Sequence, residues 1–223
     1  MSKTQLLRKI IKEIISTDQK VGAIYCDMDG VLVDFELGAV NLISDILAGV
    51  ADPMWTESSK SIESNIRKLR EAFGEDWRPS RREDLDEKPV RQVMMSAISA
   101  SPGDFFKMLP PLKDGTTELW EFLNSLGLPV NILSAPIRGR GMPADEGKKL
   151  WVREHLNPQP DAVFIVDAVN KKNFAASNEV SNILVDDKES TIISWNDSGG
   201  IGIFHEPGNS SRSVREIKLR LGL

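Results

Sequence analysis

Five short apolar runs recur along this chain, and several stop abruptly on a charged or hydroxyl side chain. They are "AIYC" before Asp27, "VNILS" closing on Ser134, "AVFIV", "NILV" before Asp186 and Asp187, and "IGIF" before His205. Each is of strand length, and helical patterns separate them: "TTELWEFLNSLG" with Gly127 as its C-terminal cap, about Asp145 to His155, and a last helix from about Ser211. Short buried strands alternating with helices close into a parallel sheet covered on both faces, because each crossover must return over the sheet. This rhythm predicts an α/β fold, a doubly wound, Rossmann-like parallel sheet.

The rhythm is broken once. From about Phe35 to Pro110 the pattern is helical and polar with scattered aromatics, and "GEDWRPSRREDLDEKPV" (74–90) reads as a connection between helices. That is far longer than an ordinary loop. The expected organisation is a core of residues 1–34 and 111–223 with a small helical cap, residues 35–110, inserted after the first strand. Ahead of that strand, Leu6, Leu7, Ile10, Ile11, Ile14 and Ile15 recur at helical spacing and predict an amphipathic helix over 4–17.

Composition removes several alternatives. The formal net charge of −5 argues against nucleic acid as the partner, although a small anion can still be held locally. One cysteine excludes a disulfide framework and a cysteine-rich zinc site, and two histidines leave little for a histidine-based one. No apolar run is long enough to span a bilayer, and the charges within "LLRKIIKEII" are unlike a signal peptide. A cytoplasmic protein with no membrane partner is expected, and apolar surface on the first helix or the cap could form a homodimer.

Ligands of open parallel sheets sit at the carboxyl ends of the strands. There the first strand offers Asp27 and Asp29, the second Ser134, and the fourth Asp186 and Asp187, with Lys148 and Lys149 in the helix after the second. Several carboxylates in one cleft repel one another unless a cation joins them, and an all-oxygen donor set suits Mg²⁺. Asp27 could then act as an ionised nucleophile on a phosphoryl group. Asp29, two residues on and pointing the same way along an extended chain, could protonate the leaving oxygen and activate water. Ser134 and Lys148 would contact the non-bridging oxygens.

"DMDGV" after an apolar strand, "LSAP" ending a later one, a lysine beyond it and "LVDD" further on resemble the four motifs of the haloacid dehalogenase (HAD) superfamily of phosphatases. "DMDGVLVDF", "FFKMLPPLKDG", "ILSAPI", "EGKKLWVREHL", "ILVDD" and "WNDSGGIGIFH" are similar, in order, to the 5'(3')-deoxyribonucleotidases and their phage relatives. The resemblance covers most of residues 23–206. It implies a HAD-like fold and a Mg²⁺-dependent 5'-nucleotidase active on (deoxy)nucleoside monophosphates. It implies Asp27, Asp29 (through its backbone carbonyl) and Asp186 as metal ligands, Asp187 as their support, Ser134 and Lys148 on phosphate, and Phe35 with one of Phe105 and Phe106 at the base. Two departures stand out. "SAPIR" replaces the family's "TSPIK", so Ala135 lacks a hydroxyl while Arg138 keeps a positive charge near the phosphate. "VNKKNF" replaces an arginine, so Lys171 or Lys172 substitutes, and Lys172 is assigned to the substrate pocket.

Taken alone, each feature has a plainer explanation: a turn, a helix cap, a solvated lysine. Their agreement at several strand ends favours chemistry. The alternatives are a HAD phosphatase for a sugar phosphate or another small metabolite and, in a different class, a phosphoryl-accepting or non-catalytic binding module. Trp120, Trp151 and Phe164 are assigned to the core, Trp55, Phe73 and Trp77 to cap packing, and Cys26, His155 and His205 to structure rather than chemistry.

Overall fold

The computed structural model describes residues 20–51, 55, 60–137 and 141–223. The predicted helix over 4–17 and Arg138 lie outside the described residues. Chain contacts divide the protein into two compact units. One comprises the chain up to Leu32, Leu112–Ala135 and Leu156–Leu223; the other comprises Val33–Pro111 and Pro136–His155.

The first unit is built on a six-stranded sheet. Its strands are β1 (Val21–Cys26), β2 (Val130–Ser134), β3 (Ala162–Ile165), β4 (Ala176–Ser177), β5 (Val180–Asp186) and β6 (Ile201–Phe204). β1 pairs in parallel with β2 on one side and β5 on the other, β2 with β3, and β5 with β6; only the short β4 is antiparallel, against β5. The chain winds outward from β1 to β3, then returns across β1 to build the other half. This is the doubly wound order expected, and it makes the carboxyl end of β1 the point where the winding reverses.

The sequence explains the strands. Every residue of β2 is buried, as are six of the seven in β5, as befits central strands of a parallel sheet covered on both faces. Tyr25 lies edge-on to Phe174 and Trp195, and Leu133, Ala175, Leu184, Ile192 and Trp195 form a buried cluster. Asn182 ties the layers together: its Oδ1 accepts from Ala23 N at 2.9 Å, and its Nδ2 donates to Phe174 O at 2.8 Å. Its own carbonyl accepts from Trp195 Nε1 at 3.0 Å. The helix predicted over "TTELWEFLNSLG" begins as a π turn, Gly115–Leu119, and continues as α-helix, Trp120–Ser125, with Gly127 at φ +69° beyond it.

The second unit holds α1 (Phe35–Ala48), α2 (Lys60–Phe73), α3 (Lys88–Ala100), α4 (Pro102–Lys107) and, from later in the chain, α6 (Gly141–His155), the π turn's helix Trp120–Ser125 of the first unit being α5. Asp34 caps α1 by accepting from Leu37 N at 2.8 Å, and Gly49 ends it in the left-handed conformation. The inserted stretch starts and finishes side by side, with Asp34 N donating to Pro110 O at 2.8 Å. α6 joins these helices through backbone: a Cβ at Gly147 would stand 2.1 Å from Gly103 O. Trp55 is buried in this unit, and Phe73 and Trp77 stack at 4.6 Å. Among the described residues no helix is long and apolar enough to cross a membrane. The remaining helices, α7 (Glu189–Asp197) and α8 (Ser210–Leu221), belong to the first unit.

Candidate active site

At the reversal point β1 and β5 run in register, Cys26 beside Val185, and Asp27 N donates to Val185 O at 2.8 Å. Asp27 and Asp186 are thereby the first residues past equivalent positions on neighbouring strands. Each carboxylate is oriented by backbone close to it: Asp27 Oδ1 accepts from Met28 N at 2.7 Å, and Asp186 Oδ1 from Lys188 N at 2.9 Å. The other oxygens, Oδ2 of both, turn to one ammonium. Lys171 Nζ lies 2.9 Å from Asp27 Oδ2 and 2.7 Å from Asp186 Oδ2.

Asp187 completes the group. Carboxylate oxygens of Asp27, Asp186 and Asp187 all lie within 4.8 Å of one another. The turn after β1 leaves room for it, because Gly30 has φ +73° and no side chain; a Cβ there would stand 2.2 Å from Asp187 Oδ2. This is the physical reason for the glycine in "DMDGV".

Burial and mutual repulsion govern the electrostatics. Burial pushes the Asp187 carboxyl up to about 7, and the charges of Asp27, Asp186 and Asp29 add to the rise. Asp186 is raised by burial and by Asp27, with Lys171 pulling the other way. Burial pulls the Lys171 ammonium down, but Asp27 and Asp186 outweigh it and hold its pKa above the ordinary lysine value. Lys171 is a fixed cation.

The sequence placed Lys172 in the substrate pocket; in the structure Lys172 is exposed and its neighbour Lys171 is the one turned inward. Both belong to the 3₁₀ segment Ala168–Phe174 that follows β3, and residues adjacent on such a helix point about 120° apart. Asp29 is half-buried and near enough to raise Asp187. Ser134 is fully buried at the end of β2, the strand beside β1.

The remaining candidates belong to the helical unit. Lys148 is buried on α6 with Nζ 4.5 Å from the centroid of Phe106, whereas Lys149 faces solvent and pairs with Glu146 at 2.9 Å. Phe35 meets Phe105 edge-on at 5.4 Å and Phe106 at 6.4 Å. Phe105 also lines a cavity of ≈ 320 Å³ with Leu42, Trp55, Leu109 and Asp45. Of the residues set aside, His155 stacks on Trp151 at 4.5 Å, and His205 is buried with Nδ1 2.9 Å from Ser213 Oγ. Burial raises the Cys26 thiol well above its usual range, with Asp27 adding to it, so it is no nucleophile.

No family model matches the chain, and no curated protein matches it. Solved structures resemble it in backbone. A hydrolase from Streptococcus pneumoniae TIGR4 is 11% identical at a TM-score of 0.46, the match covering 92% of this chain and 100% of that one. A HAD-superfamily hydrolase of subfamily IA from Geobacter sulfurreducens is 12% identical at 0.46, covering 85% and 89%. YfnB from Bacillus subtilis, bound to magnesium, is 11% identical at 0.48, covering 92% and 100%.

Proposed function

We propose that the protein is a Mg²⁺-dependent phosphomonoester hydrolase working through an aspartyl phosphate on Asp27. The observation that carries this reading is the convergence of Asp27, Asp186 and Asp187 on one point at the reversal of the sheet, with a buried lysine against two of them. The donor set suits the ion: it is all oxygen, Asp27 and Asp186 are buried with Asp187 half-buried, and the carboxylates already draw one cation to themselves. Asp27 and Asp186 would hold the metal with the backbone carbonyl of Asp29, and Asp187 would support it. When bound, Mg²⁺ supplies charge neutralisation on the transferred phosphoryl group.

The protein's own residues do the rest. Asp27 attacks phosphorus with a carboxylate oxygen while the bond from phosphorus to the ester oxygen breaks, and Asp29 delivers its proton to the departing alcohol. Asp29 then takes a proton from water as that water attacks the same phosphorus. Inorganic phosphate leaves, and the Asp27 carboxylate is restored. Ser134, buried at the end of the strand beside β1, binds phosphoryl oxygens in this scheme.

The sequence resemblance to the deoxyribonucleotidases supports a nucleoside monophosphate, ribo or deoxy; a sugar phosphate is the competing substrate on the same chemistry. Phosphate release from a panel of dNMPs, NMPs and sugar phosphates separates the two, and equal, feeble rates throughout count against a nucleotide. The mechanism itself is tested by Asp27→Asn. Turnover of the best substrate should fall by about 10³-fold or more with the fold retained by circular dichroism. Wild-type turnover in that variant defeats the mechanism.

A further inference from the structure

The metal-dependent reading above leaves a conflict at the cluster. The Oδ1 atoms of Asp27 and Asp186 are engaged by the amides of Met28 and Lys188, and both Oδ2 atoms face Lys171 Nζ. A divalent ion reaching these carboxylates must share their oxygens with an ammonium already in place. Lys171 has little freedom to withdraw, because its side chain is 2% exposed. The 3₁₀ segment carrying it is fastened by Asn182, whose Nδ2 donates to Phe174 O at 2.8 Å and whose N donates to Ala175 O at 2.8 Å.

We propose that Lys171 is a resident counter-cation that opposes the divalent ion at Asp27 and Asp186, so that a residue which is not a metal ligand lowers the metal affinity of this site. The proposal rests on the reading of the cluster as a metal site. Its physical basis is a trade. Without a divalent ion, a buried pair of carboxylates needs one compensating positive charge or the fold pushes them apart, and Lys171 provides it. With the ion, the same charge sits within a few ångströms of two more positive charges in a medium that screens them poorly. Lys171 thus keeps the cluster assembled between turnovers and keeps the metal from binding too tightly. It acts as a positioning residue, through Asp27 and Asp186.

Calorimetric titration of Mg²⁺ alone into the wild type, Lys171→Met and Lys171→Gln tests this without any substrate. A pH of about 8.5 keeps the carboxylates ionised, so that proton competition does not mask the effect. Both neutral variants should bind Mg²⁺ about tenfold tighter or more than the wild type. In EDTA both should melt at a lower temperature than the wild type, with the loss recovered on adding Mg²⁺. If a variant is unfolded in EDTA, the Mg²⁺ concentration that restores its circular dichroism is an upper bound on its dissociation constant, because binding must also drive folding. Wild-type or weaker Mg²⁺ binding by both variants overturns the proposal and leaves the metal site standing. Absence of Mg²⁺ binding by the wild type and both variants removes the metal reading and this inference together.

Discussion

Each unit of this protein buries a lysine, and the surroundings of the two differ. Lys171, at the sheet end, is 2% exposed and meets two carboxylates at 2.7 and 2.9 Å. Lys148, on α6, is 0% exposed and lies over the ring of Phe106 at 4.5 Å. Formal charges face the first ammonium; the negative face of an aromatic quadrupole is among the groups that face the second. The difference follows from what each architecture brings together. Parallel strands deliver whatever follows their last apolar residue to one spot, and here that is aspartate twice over. Helices packed by their apolar sides deliver rings, such as Phe35, Phe105 and Phe106.

The comparison breaks first, and by the largest margin, at Lys171. Replacing it by methionine removes the charge and keeps the volume, which leaves Asp27 and Asp186 buried against each other. The expected loss is about 3–5 kcal/mol of metal-free stability, the range for removing one partner of a buried ion pair. Urea denaturation in EDTA measures it. A loss below about 1 kcal/mol shows that the carboxylates relax into protonated or solvated states without the lysine, and the electrostatic half of the contrast then fails.

Phe106→Leu addresses the other half. It retains much of the apolar volume but removes the ring beneath Lys148, with an expected cost of about 1–2 kcal/mol from lost aromatic contacts and lost attraction for the ammonium. The same urea experiment reads it. Phe106 is also in contact with Phe105 at 5.4 Å, so part of any loss belongs to that pair. A cost equal to that of Lys171→Met would show that the ring cluster contributes as much to stability as the buried ion pairs do.

The sequence made one side of this contrast far more readable than the other. Asp27, Ser134 and Asp186 stood out because each ends an apolar run, and strand ends of a parallel sheet converge by topology. Lys171 and Lys172 could not be separated, since they are adjacent in a polar segment with no periodicity to say which side faces in. Lys148 and Lys149 carry the same ambiguity, and burial alone distinguishes them. The hairpin of β4 and β5 was missed because its turn is Asn178–Glu179, both at positive φ, in place of the Asn-Gly pair that announces such turns. The grouping of α6 with the inserted helices depends on the approach of Gly147 to Gly103, a contact between distant stretches that no local pattern encodes.

The pH dependence of Asp187 is the most diagnostic of the charged side. Asp187 in the folded protein is raised to about 7 from an ordinary 3.8, chiefly by burial and then by Asp27 and Asp186. A carboxyl raised in this way holds its proton more tightly folded than unfolded. Between about pH 4 and pH 7 the unfolded chain ionises while the folded one resists, so this group's contribution falls as pH rises. Other groups act in the opposite sense nearby: His205, lowered by burial, favours the fold increasingly as pH rises toward 6.5. Asp114, lowered on balance by its bonds to Ser210 and Gly115 against the pull of burial, loses its contribution only in more acid solution, as pH falls below 3.8. Lys171, raised, changes only above about 10.5. Subtracting the melting curves of Asp187→Asn from those of the metal-free wild type cancels these shared contributions. The difference should decline steadily from pH 5 to pH 8 and flatten above, and saturating Mg²⁺ should abolish the decline by stabilising the ionised form. A flat difference across that range would mean that Asp187 ionises as freely in the fold as out of it, and that the sheet end is far less crowded with charge than the helical unit is with rings.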